Sequence, residues 1–121
     1  MQTYCKWYLF FFFIFFIDQL VNAVPFKLVA QGCKTKNIFL TQKDLINKLT
    51  WQVSGDPLPV QYGIYRDAQL TDNVGFVASS SPFVLYDHNR VPGVVYTYYI
   101  VGIYQDNSIS SPTVVTVTSE C

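Results

Sequence analysis

Asp87, His88, Asn89 and Arg90 are consecutive and include the chain's single histidine. A carboxylate next to an imidazole can relay a proton, and a neighbouring guanidinium can steady developing negative charge. The same residue types also make an ordinary polar turn, with Asp87 and Asn89 bonding to nearby backbone. The rest of the sequence favours the turn. It has no G-x-S-x-G elbow, no nucleophile beside an evident base and no phosphate-cradling glycine run. Asp56, Asp67, Asp72 and Asp106 all fall in the expected loops. Carboxylates so placed could bind calcium or split a glycoside, but turn chemistry accounts for each of them better. No catalytic, metal or cofactor site is expected, and the chain is not read as an enzyme.

The cysteines are Cys5, Cys33 and Cys121, and their meaning depends on the first segment. "MQTYCKWYLFFFFIFFIDQLVNA" has the parts of a secretory signal: Lys6, an apolar run from Trp7 to Ile17, and Val21 and Ala23 before a cleavage point. The run stops at Asp18, short of the roughly 20 apolar residues that span a bilayer. A signal peptide over residues 1–23 and one domain over 24–121 are therefore expected, with an uncleaved anchor as the rival. Export would make the chain secreted or extracellular, or periplasmic in a bacterium. Cys5 would leave with the signal. Cys33 and Cys121 would remain as an even pair in an oxidising compartment, where a disulfide is the default. The rival is a Cys121 that is free or bonded to another chain. One histidine and two cysteines do not make a zinc site.

The elements that must position these residues read as strands. Short runs of β-branched and aromatic residues recur between turn residues, and no window carries a capped helical period. The runs are "FKLVA", "LINKLTWQV", "VQYGIYR", "VGFVA", "FVLYD", "VVYTYYIVGIY" and "TVVTVT". In the second, Leu45, Leu49, Trp51 and Val53 alternate on one face, with Asn47 the polar exception. In the third, Val60, Tyr62 and Ile64 share a side. In the sixth, Tyr96, Tyr98, Ile100 and Gly102 point inward and Tyr99, Val101 and Ile103 outward. The turns between runs are too short for parallel crossovers, so neighbours are antiparallel. The fold class is all-β, a seven-stranded antiparallel immunoglobulin-like sandwich. Its expected core includes Trp51, Tyr62, Ile64, Tyr96, Tyr98 and Ile100. Tyr96, just after Pro92-Gly93, is placed to bury its ring and turn its hydroxyl back to the loop, a tyrosine corner.

These residues resemble a fibronectin type III domain over about 25–118. "LTW" at Trp51 resembles the core tryptophan of the second strand, and "YGIYRD" resembles the third strand. "PGVVYTYYIVGI" resembles the Pro-Gly-x-x-Tyr-x-Tyr-x-Val pattern of the sixth strand, and "SSPTVVTVT" the closing strand. Two departures stand out. Arg90 occupies the place of the family's leucine two residues before the proline. "FLTQKDLINKLTW" makes a longer lead into the second strand, as if the first loop carried an insertion. The resemblance implies that the first and last strands end at one pole, so a Cys33–Cys121 bridge would tie the last strand to the loop after the first.

Charge excludes little and favours nothing strongly. Eight basic and eight acidic side chains balance, so no overall field draws nucleic acid or an anionic membrane. The lysines gather in the first half, which reads as a lysine-guarded edge strand. If Tyr99, Val101 and Ile103 face outward, they join Tyr65 in an exposed stripe, either a contact surface or ordinary cross-strand packing. The expected function is a non-enzymatic module for protein binding, adhesion or spacing. Its partner would be another extracellular protein, and a membrane would matter only to the transient signal. A carbohydrate-binding accessory domain, with a glycan as partner, is the alternative.

Overall fold

The computed structural model describes residues 24–121, so the expected signal segment lies outside the described residues. Among these residues stand seven strands and no helix: β1 (Val24–Phe39), β2 (Gln42–Asp56), β3 (Gln61–Tyr65), β4 (Asn73–Ala78), β5 (Val84–Asp87), β6 (Tyr96–Ile103) and β7 (Thr113–Val117). They form two antiparallel sheets, ordered β1-β2-β5 and β4-β3-β6-β7.

Alternation builds the interior. β2 contributes Leu49 and Trp51, β3 Tyr62 and Ile64, β6 Tyr98 and Ile100, and β7 Val115 and Val117. Each pair is two residues apart, so both side chains leave the same face of the strand. Trp51 stacks on Phe83 with ring centroids 5.9 Å apart, and Tyr62 meets the edges of both rings. Such offset and edge contacts add to the area the rings bury. Tyr96 is only partly buried, but it packs against the same cluster. Val60 lies before β3 and is exposed, not aligned with Tyr62 and Ile64.

The first hairpin departs most from expectation. β1 is not confined to residues 26–30, and the supposed insertion is no loop. Residues 34–39 and 42–47 continue the ladder, from Lys34 opposite Asn47 to Phe39 opposite Gln42. Both faces of its far end are wet, so this ribbon shows no apolar alternation from which a strand could be read.

Cys33 accordingly lies within β1, not in a loop after it. It is bonded to Cys121, with Cα atoms 4.8 Å apart. Alongside the bridge, Lys34 N–H donates to Ser119 C=O at 2.8 Å and Cys121 N–H donates to Lys34 C=O at 2.9 Å. The tail after β7 is thus stitched to β1 and closes one side of the sandwich. Gly32 permits the approach, since a Cβ there would meet Val117 Cγ2 at 2.7 Å.

Candidate functional site

The titratable residues do not gather where the sequence put them. Asp87 and His88 are neighbours on one strand end, so their side chains leave opposite faces. Asp87 is buried between the sheets, while His88 is exposed and its Nδ1 lies 2.7 Å from Asp44 Oδ2. They do not form a dyad. Asp87 is not bonded to turn backbone either. It accepts hydrogen bonds from Arg66 at both oxygens, 2.7 Å from Nη2 and 3.2 Å from Nε, and from the Tyr98 hydroxyl at 2.5 Å. Arg90 Nε stands 3.4 Å from the same carboxylate. Asn47 completes the chain by donating to the Tyr98 hydroxyl at 2.9 Å.

This network joins β2, β5 and β6 to the residue after β3, and so spans both sheets. Burial, and then the bond to Asp87, push the Tyr98 phenol well above its ordinary value. It therefore stays protonated and donates. The Arg66 guanidinium is likewise raised, chiefly by its hydrogen bonding to Asp87. A carboxylate covered by two guanidiniums and a hydroxyl has its lone pairs occupied, and the arrangement suits holding sheets together better than moving protons.

Three of the remaining acids, Asp44, Asp67 and Asp106, hold loop backbone. Asp67 accepts from Thr71 N–H, Asp72 N–H and the Thr71 hydroxyl, and these bonds hold its carboxyl below the usual range. Asp106 is lowered by Ser108 in the same way. Asp44 is lowered by His88 and by Asn89 N–H. Asp72 reaches Arg66 at 3.4 Å. Among the described residues, no three His, Cys, Asp or Glu side chains are grouped to hold a metal ion.

At the expected corner, Tyr96 accepts a hydrogen bond at its hydroxyl from Val91 N–H at 3.0 Å. Arg90 accounts for the departure from the leucine pattern. Its guanidinium lies over the Tyr96 ring, 5.2 Å from the centroid, and covers the phenol as an aliphatic side chain would.

The outer face of the four-stranded sheet is where the expected stripe needs correction. The register places Tyr65 opposite Tyr99, Gly63 opposite Val101 and Gln61 opposite Ile103, so these residues share one face. But Val101 is only 1% exposed and Ile103 9%. The cause lies at Gly63, which leaves a gap in the row. Tyr65 folds back across it, so that a Cβ at Gly63 would meet Tyr65 Cε2 at 3.0 Å and Ile103 Cδ1 at 3.4 Å. The ring roofs the gap beside Val101, and Ile109 bridges to Ile103 from the following loop. Tyr65 and Tyr99 are half-buried. The exposed apolar positions flank them: Phe76 opposite Gly63 on β4, and Val114 opposite Tyr99 on β7. A stripe exists, but its accessible ends are Phe76 and Val114, not Val101 and Ile103. The alternating runs "VGFVA" and "TVVTVT" carried that signal.

No protein-family model and no curated protein matches the sequence. Among solved structures, the chain is similar to pectate lyase Pel3 from Pectobacterium carotovorum, with a TM-score of 0.56 and 15% identity over 74% of this chain and 26% of that one. Pectate lyase PelI from Erwinia chrysanthemi, in complex with tetragalacturonic acid, aligns at a TM-score of 0.48 and 14% identity, covering 71% and 28%. The chain spans about a quarter of the length of these structures, and the likeness to Pel3 is one of fold alone.

Proposed function

We propose that the chain is a secreted, non-enzymatic module of the fibronectin type III kind that works by binding another extracellular protein. The strand order supports the fold half of this reading. β4 pairs with β3 and not with β5, giving a three-plus-four division instead of the four-plus-three of constant-type immunoglobulin domains. The Tyr96 corner supports it too, and the Cys33–Cys121 bridge fits an oxidising compartment. The match to only a quarter of Pel3 is consistent with likeness to one module of a larger protein.

The observation that carries the binding reading is the outer stripe. Phe76 and Val114 are exposed on either side of the half-buried Tyr65–Tyr99 pair, while the acidic groups most able to do chemistry are engaged in holding turns and sheets. Partner capture from the native extracellular medium tests it. The chain with Phe76→Ser and Val114→Ser should fold and lose the partner; a double variant that captures it as the parent does refutes the stripe.

A carbohydrate-binding role is the alternative, favoured by the likeness to part of a polysaccharide lyase. A glycan array separates the two readings, since retention on pectic or other polysaccharide would displace the protein-binding one.

A further inference from the structure

Among the described residues, the far end of the first hairpin concentrates wet apolar side chains that alternation does not explain. Ile38 is 67% exposed, Phe39 71% and Leu40 86%, three in a row at the tip. Phe39 pairs with Gln42, which leaves Leu40 and Thr41 as a two-residue turn. Leu40 has a φ of 55° and is the turn's residue on the left-handed side. Tight hairpin turns usually give that position to glycine or asparagine, because a side chain there is strained. A large apolar residue is thus held, against local preference, at the point of greatest exposure.

Charge adds a second observation. The whole chain is balanced, yet the fold separates the balance. Residues 24–56, the two hairpin strands, carry five lysines against two aspartates, while residues 57–121 carry two arginines against five acids. Lys36 and Lys43 are exposed beside the tip, Lys43 directly opposite Ile38. Neither lysine is in an ion pair among the described residues. The nearest carboxylate along the ribbon, Asp44, is engaged by His88 and Asn89.

We propose that this hairpin tip is a membrane-docking finger, with Ile38, Phe39 and Leu40 entering the headgroup–acyl boundary of an anionic phospholipid bilayer and Lys36 and Lys43 contacting the headgroups. The shape argues for a lipid surface over a second copy of the chain or another protein. The tip is a two-residue turn between paired strands and is wet on both faces, so a fluid interface can surround it, whereas a protein partner would need a matching groove. Lysines just behind an apolar point can extend their amines to headgroups while their stems stay in the apolar layer. This site lies apart from the outer sheet stripe and does not depend on the binding reading above.

The test floats the chain, as its producing cell processes it, with vesicles of phosphatidylcholine alone and of an equimolar mixture with phosphatidylglycerol. The parent should float with the mixed vesicles, and added salt should weaken the association. Phe39→Ser with Leu40→Ser should reduce binding by about tenfold or more. Lys36→Gln with Lys43→Gln should weaken it on mixed vesicles only, and Phe76→Ser should leave it unchanged. Intact disulfide and unaltered thermal unfolding establish that each variant is folded. A Phe39→Trp variant, with parent fluorescence subtracted, should show a blue shift on adding mixed vesicles; this reads the tip itself, whatever residues 1–23 contribute. No blue shift, or tip variants that float as the parent does, overturns the proposal. So does a parent that fails to float but forms a dimer which the tip variants dissociate, since the occupant is then a second copy.

Discussion

The Tyr98 hydroxyl lies 2.5 Å from Asp87 Oδ2, and it is the link through which the two sheets share a buried hydrogen-bond chain from Asn47 to Arg66. Its removal leaves an amide and a carboxylate short of partners inside the sandwich. Tyr98→Phe should therefore destabilise the domain by about 1–3 kcal/mol, although it deletes a single oxygen. Asp87→Ala should cost more, roughly 3 kcal/mol, because it also removes the main partner of the part-buried Arg66 guanidinium and leaves it only the 3.4 Å contact with Asp72. Denaturant unfolding of the two variants checks both the values and their order.

The bridge closes a span of 88 residues between Cys33 and Cys121, so its loss should matter in the unfolded chain as well as the folded one. The chain-entropy model gives about 4–5 kcal/mol for a loop of that length. Cys33→Ser with Cys121→Ser should lower stability by up to that amount. The Lys34 and Cys121 amides, which stitch the tail to β1, should gain the most in hydrogen-exchange rate. Uniform acceleration across all strands would mean that the tail is not a separate weak point.

What could be read in advance was whatever repeats with period two. Trp51, Tyr62, Ile64, Tyr98 and Ile100 each stand in an alternating run, and their burial follows from that alone. Asp87 was legible in principle: it continues the row of Phe83 and Leu85, the inward side of its strand. Local composition instead suggested a turn, because the atoms that satisfy it come from Arg66 and Tyr98, remote in sequence. The hairpin tip was hidden for the opposite reason, since a ribbon wet on both faces has no alternation to show. Val101 misled because Gly63, opposite it on β3, leaves a gap that the Tyr65 ring folds across.

Two glycines with similar surroundings on paper should respond differently. At Gly32 a Cβ would press on Val117 and Leu49, both fixed in the core. Gly32→Ala should cost about 1–3 kcal/mol as an overpacked site. At Gly63 the obstacle is the far end of the Tyr65 side chain, which can swing outward. Gly63→Ala should stay within about 0.5 kcal/mol of the parent. Thermal unfolding of the pair distinguishes a rigid neighbour from a yielding one.

The pH dependence should have two flanks with opposite signs. Asp44, Asp67 and Asp106 have folded values below the ordinary carboxylate range, so the stability they contribute is present above that range and is lost as pH falls through their folded values. Asp44→Asn should flatten the acid flank below about pH 4. Tyr98 and Tyr62 are raised, both first by burial, so their contribution is full below the ordinary phenol value near 10 and is lost as pH rises beyond it. Absorbance near 295 nm should show part of the tyrosine signal ionising only together with unfolding. A titration in which all the tyrosines ionise smoothly while the fold persists would contradict the burial of these two phenols.

Arg90 stands at a position where the sequence pattern leads one to expect leucine. Where the pattern has leucine, the guanidinium covers the Tyr96 ring and also approaches Asp87. Arg90→Leu keeps the cover and loses the charge, whereas Arg90→Ala loses both. If coverage of the phenol is what the position supplies, Arg90→Leu should be close to neutral and Arg90→Ala should cost about 1 kcal/mol. If the charge on Asp87 matters more, the two variants should be equally destabilised. Arg66 already meets both oxygens of Asp87 with closer contacts than the 3.4 Å of Arg90, which favours the first outcome. Chemical denaturation of both variants, alone and combined with Asp87→Asn, decides between them, because only a charge role is coupled to the Asp87 carboxylate while a ring-cover role persists without it.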